Sequence, residues 1–281
     1  MKSRLILAFC LTLLPGSAAL AAFDNQHKLW THELKQYVDG DLIHYARWHK
    51  KPATLEKYLK ELADMTPEEY DDMTHDQRKA LWMNAYNAFT VKVVLDHYPI
   101  EGKSSYYPKD SLRQIPDVWE KYQVVVAGKS YTLDAIEHDI LRAFRYPEVH
   151  FAVVPAAKGC AAPRKRAFVS TTWEIDIAAC KEKFLTDKNN ISIDPKRKTI
   201  TVSQIFKWFP LDFAKASGIA AKIPPPTDDQ IVLAYLAKNL PASVKNDIPS
   251  TDKLTDYTVV YKPNDWSLND ADAIKKTDSI K

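Results

Sequence analysis

Apolar and polar positions alternate along the chain in a way that predicts amphipathic helices early and short strands later. Trp30, Leu34, Tyr37 and Val38 recur at helical spacing and predict a first helix. Leu55, Tyr58, Leu59 and Leu62 predict a second, with residues 42–48 between them as a short extended piece. Thr66 followed by Pro67, Glu68 and Glu69 opens a helical turn, with threonine as its cap. Thr74 and Gln77 form a capping box for a helix reaching about Leu95, ahead of Pro99. That helix is apolar nearly all round, which makes it central. Two more capping boxes are predicted. Thr171 and Glu174 precede the stripe Trp173, Ile177, Cys180 and Phe184, and Thr227 and Gln230 precede a helix over 231–240.

Strand signals are shorter. Residues 122–126 and 130–132 form a hairpin around Gly128, and residues 191–194 and 199–202 form another around a basic turn. Residues 257–261 read as a last strand. Residues 104–119 read as a loop, and Ser203 caps a short helix holding Phe206, Trp208 and Phe209. Val149, Phe151 and Val153 point one way while His150, Ala152 and Val154 point the other. Both faces are largely apolar, so this run is expected to be a strand buried on both sides and stopped by Pro155. The pattern is α+β, with helices packed on one largely antiparallel sheet. A distant papain- or transglutaminase-like arrangement is the narrower expectation.

The chain has 281 residues, 46% hydrophobic and 27% charged, which suits a soluble globular protein with an ample core. A formal net charge of +3 gives no reason to expect nucleic acid as a partner. Lys2, Arg4, an apolar run over 5–14 and the small-x-small site Ala19-Leu20-Ala21 read as a secretory signal. Residues 1–22 are therefore set aside as a signal peptide, and residues 23–281 are read as one α+β domain. Loss of Lys2 and Arg4 takes the charge from +3 to +1. The mature protein is expected in the periplasm or outside the cell, without a stable membrane anchor. Of 3 cysteines, Cys10 leaves with the signal. Cys160 and Cys180 remain, either bridged or as separate thiols. No cofactor motif and no internal repeat is visible.

Chemistry gathers around Cys160. It sits in a loop with Gly159, Lys158, Arg164, Lys165 and Arg166, where cations would favour a thiolate and attract anions. Upstream, Glu137 lies within the apolar stripe Leu133, Ile136, Ile140, Leu141 and Phe144, where leucine would be expected. A carboxylate there needs a cation or several donors. His138 lies off that stripe, on the side of Arg142, about 100° around the helix from Glu137. Asn84 and Asn87 share a face of the central helix. Their amides either tie down loops or line a pocket.

Several stretches together resemble one family, the domain of unknown function 547. They include Leu81-Trp82-Met83-Asn84-Ala85-Tyr86-Asn87-Ala88, Ile136-Glu137-His138-Asp139-Ile140-Leu141-Arg142, His150-Phe151-Ala152-Val153, Lys158-Gly159-Cys160, Asp212-Phe213 and Asp265-Trp266-Ser267-Leu268-Asn269. The likeness runs from about residue 34 to residue 269. The resemblance implies that the signature positions are Asn84, Asn87, Glu137, His138, His150, Cys160 and Arg164. It implies no particular reaction. The family commonly carries a cysteine where this chain has Pro155, and prolines where it has Ala161 and Ala162.

Two functions follow. In the first, Cys160 is the nucleophile, His138 or His150 the base, and Glu137 or an asparagine the orienter of a hydrolase or acyl transferase acting on an amide or peptide-like substrate. In the second, the protein binds an anionic small molecule or peptide without chemistry. Arg164, Asn84 and Asn87 then hold the ligand, and Glu137 pairs with Arg142 or Arg164. A metal at His138, His150, Glu137 and Cys160 lacks zinc-type spacing, so none is expected. The remaining histidines, His27 among them, read as surface residues.

Overall fold

The computed structural model describes residues 22–245 and 251–273; residues 1–21 of the expected signal, with Cys10, lie outside them. Helices dominate. Lys28–Tyr37 packs its apolar stripe on Ala53–Asp64, which packs in turn on the central helix His75–Asp96. That central helix buries nearly its whole length, as an all-round apolar sequence requires. Its capping box forms as expected: the Thr74 hydroxyl accepts from the Gln77 amide and Gln77 returns a bond to Thr74. The boxes at Thr66 and Thr227 form in the same way. No helix among the described residues is long and apolar enough to cross a membrane.

The α+β class holds, but among the described residues the strands form three small sheets rather than one. Val38–Asp39 pairs with Leu42–Ile43, and Gln123–Val126 pairs with Lys129–Thr132, both antiparallel. In the third sheet Ile191–Asp194 pairs antiparallel with Thr199–Ser203, which pairs in parallel with Thr258–Lys262. The apolar interior falls into two clusters. One surrounds the central helix; the other lies between the three-stranded sheet and the helices Pro210–Ser217 and Asp228–Asn239.

The segment joining these clusters departs from expectation. Pro147–Phe151 is a 3-10 helix, not a strand. Val149 and Ala152 enter the first cluster and Phe151 the second. A short run buried on both faces reads alike as strand or buried turn, because only its apolarity is visible. The Thr171 capping box also fails. A 3-10 turn, Ser170–Thr172, leads into the helix Trp173–Thr186, and the Thr172 hydroxyl bonds the Asp176 carboxylate instead of capping. Cys180 is buried on that helix, and both it and Cys160 are free thiols, so the expected alternative of a bridge between them is not realised. His27 is buried rather than exposed, its Nδ1 2.8 Å from the Tyr58 hydroxyl.

Candidate functional site

A cavity of about 350 Å³ lies beside Cys160. Glu137, His138, His150 and Cys160 all line it, with Tyr86, Pro155 and Arg113 and an aromatic wall of Trp119, Trp208, Phe209 and Trp266. Tyr86, Glu137, His138, His150 and Cys160 come from four separate stretches. Tyr86 comes from the central helix. Glu137 and His138 come from a helix that begins at Leu133, widens to π-type turns over Ile136–Leu141 and tightens to 3-10 over Arg142–Phe144. Wide turns of this kind are rare and cluster at functional sites. His150 stands on the 3-10 helix between the two clusters, and Cys160 in the loop after it.

That loop is strapped down by the end of the chain. The Lys158 amide donates to the Ser267 carbonyl at 3.0 Å, and the Gly159 amide to the Asp265 carbonyl at 2.8 Å. Ala157 bridges Leu268 in an antiparallel step. Gly159 is needed for this approach: a Cβ there would sit 2.4 Å from the Asp265 amide nitrogen. Ala156 adopts φ +59°, a left-handed conformation costing a non-glycine residue about 1–2 kcal/mol. Burial of Ala156 and the bond its carbonyl accepts from Asn269 hold it there.

The electrostatics at Cys160 correct the expectation of a cation-ringed thiolate. Burial pushes the thiol up to about 12, and Glu137 adds to it. The thiol donates to Asn264 Oδ1 at 3.6 Å. Arg164 and Arg166 are both clamped on the fully buried Asp176. Arg164 also lies over the Phe168 ring at 4.2 Å. Arg113 is the arginine whose charge reaches the thiol. Glu137 has neither arginine proposed for it; it accepts from the Tyr86 hydroxyl at 3.0 Å.

The asparagines serve the loops. Asn84 donates to the Phe168 carbonyl at 2.7 Å and accepts from its amide at 2.9 Å. Asn87 likewise donates to Ala152 and accepts from Val154. Both amides are occupied in holding backbone, and neither residue lines the Cys160 cavity, nor does Arg164.

One residue given no role by the sequence completes the site. Asp212 Oδ2 lies 2.7 Å from Arg142 Nε and 3.0 Å from His150 Nε2. Burial would raise Asp212, but the bonds from His150 and Arg142 win and hold it well below the usual carboxylate range. An ionised Asp212 can only accept, so His150 Nε2 donates. In the neutral ring the lone pair then falls on Nδ1, which is buried and without a partner. Phe209 stacks on the His150 ring at 3.8 Å and fixes its plane. His138 is arranged the other way. Arg142 can only donate, so His138 Nδ1 accepts from it at 2.9 Å, and Nε2 faces Asp134 at 3.4 Å. His150 and Cys160 face one cavity without bonding each other. Asp212 stands in one of the stretches that resemble the family, but its position as an acid in the first turn of a helix ordinarily signals nothing beyond the helix dipole.

Residues 70–185 match the family model described as protein of unknown function, DUF547. This segment belongs to the domain of unknown function 547 family. Within it lie the central helix, Glu137, His138, His150 and Cys160. Asp212 and the strap at 264–268 lie beyond the matched residues of the family model. Neither the curated proteins nor the solved structures compared with the chain gave a match. Pro155, where the family commonly has a cysteine, lines the cavity, so Cys160 faces it without a second thiol from that position. Among the described residues no cluster of three histidine, cysteine or acidic side chains is placed to hold a metal ion.

Proposed function

We propose that the cavity is the active site of a cysteine-dependent hydrolase or acyl transferase acting on an amide or peptide-like substrate. The observation that carries this reading is His150: buried, oriented through Nε2 by Asp212, with an unpartnered Nδ1, on a ring that lines the same cavity as Cys160. A base held by a carboxylate beside a nucleophile is the arrangement that acyl transfer uses on unrelated folds. The thiol rests protonated, so attack requires proton transfer to His150 Nδ1 as the sulfur–carbon bond forms. The protonated ring then gives that proton to the departing amine or alcohol as the acyl bond breaks. Water, or an acceptor nucleophile, releases the acyl group from sulfur and returns the thiol. Asp212 stabilises the imidazolium, and Arg142 keeps Asp212 ionised and in place. Glu137, bonded to Tyr86, shapes the charge at the thiol rather than orienting the base.

The test is turnover over a panel of peptide amides, peptide esters and small thioesters. Wild type turns over at least one class. Cys160→Ala and Asp212→Asn lose that turnover while their melting temperatures stay close enough to wild type to show folded protein. Turnover that survives Cys160→Ala refutes the reading.

The buried, protonated thiol favours a second reading, a binding site without chemistry. There the aromatic wall would hold an apolar group and Arg113, lying 4.1 Å over the Trp266 ring, a ligand carboxylate. Ligand-induced stabilisation unchanged by Cys160→Ala, with no turnover, would establish it. We also place the mature protein in the periplasm or outside the cell. The charged start, the apolar run over 5–14 and the Ala19-Leu20-Ala21 site support this. A secreted product whose N-terminus is Ala22 or Phe23 is the expected result.

A further inference from the structure

Cys160 also lines a second cavity. This larger cleft, about 590 Å³, is lined by both Cys160 and Cys180. Its floor is apolar: Phe151 and Phe184 stack at 4.5 Å, and Ala157 and Ala161 are buried beside them. Its rim is cationic. Six lysine and arginine side chains line it against two aspartates, in a chain whose net charge is only +3. Some of these cations have partners. Lys183 bonds Asp41 and Arg166 bonds Asp176. Lys35 and Lys158 are exposed and take part in no ion pair among the described residues. Arg164, on the wall, uses one guanidinium nitrogen on Asp176, and its Nη1 is buried with no partner.

We propose that this cleft binds an amphipathic anion, an apolar body carrying a carboxylate or phosphate head. The apolar floor alone would take a neutral ligand, and the cations alone a free ion. Together, in a cleft of this volume, they select a molecule with both parts. The unpaired lysines and the unused Arg164 donor supply the charge-assisted bonds to the head. The phenylalanines and alanines remove the body from water. This site is distinct from the aromatic cavity, and it stands whether or not Cys160 is a nucleophile.

The test is binding to the whole mature protein by calorimetry and thermal shift, with decanoate and decyl phosphate against decyltrimethylammonium, decanol and inorganic phosphate. Decanoate or decyl phosphate binds, and which of the two binds tighter identifies the head. Binding weakens as salt is raised. Lys35→Glu with Lys158→Glu weakens it roughly tenfold or more, because both are exposed charges facing the head. Asp212→Asn leaves it unchanged, so the cleft and the proposed chemistry fail separately. Equal binding of decyltrimethylammonium or decanol, binding of inorganic phosphate alone, no binding by either anion to folded protein, or indifference to the double substitution overturns the proposal.

Discussion

The reactivity of Cys160 follows from its surroundings and can be measured without a substrate. Burial is the main cause of the thiol's displacement, from an ordinary 9.0 up to about 12, with Glu137 adding to it. The resting thiolate population near neutral pH should therefore be about a thousandfold below that of an open cysteine, a difference of about 4 kcal/mol. Iodoacetamide reacts with the thiolate. In a chain whose other cysteines are replaced, alkylation of Cys160 followed by intact mass should be about a thousandfold slower than that of free cysteine near pH 7. The rate should climb about tenfold per pH unit through pH 10 without levelling. Glu137→Gln removes a neighbouring negative charge and should speed labelling at every pH. Rapid labelling near neutrality, or a rate that levels below about pH 8, would mean a resting thiolate and would refute the electrostatic account.

Three other expectations follow from particular contacts. Asp212→Asn removes the charge that two donors share at a side chain only 17% exposed; melting should report a loss of about 2–3 kcal/mol above pH 4, where Asp212 is ionised in both folded and unfolded chains. Because its folded value is depressed, the stability Asp212 gives should fade as pH drops below about 4, and the variant should lack that part of the acid profile. His27 is 2% exposed and burial lowers it to about 4. The unfolded chain then binds the extra proton between about pH 6.5 and 4, so stability falls by about 3 kcal/mol on acidification through that window, and His27→Gln should flatten the decline in denaturant titrations. Gly159→Ala drives a Cβ into the Asp265 backbone and should cost about 1–3 kcal/mol while raising the accessibility of Cys160 to thiol reagents.

The parts legible in the sequence are those written in local code. The threonine caps at Thr66, Thr74 and Thr227 fix helix starts through partners three residues away, so the chain announces these starts. Glu137 was conspicuous because a carboxylate interrupts an apolar stripe, and it does line the cavity. Nonlocal features were silent. Asp212 meets Arg142 and His150 across 70 and 62 residues, and nothing near it in sequence signals either partner. The cations around Cys160 looked like its electrostatic environment because they are adjacent in the chain. Asp176, buried on another helix, draws two of them away. Residues 149–154 read as a strand, although Pro147–Phe151 folds as a 3-10 turn, because a run apolar on both faces carries no period to separate the two.

The central claim is that Cys160 receives an acyl group with His150 as the base. Intact-mass analysis during reaction with p-nitrophenyl acetate tests it most directly, because the ester's good leaving group lets acylation outrun deacylation. The account predicts a burst of nitrophenolate and one acetyl group on the peptide containing Cys160, both lost in Cys160→Ala and strongly slowed in Asp212→Asn. An acetyl group that goes only to lysines, or a burst that persists without Cys160, would contradict it.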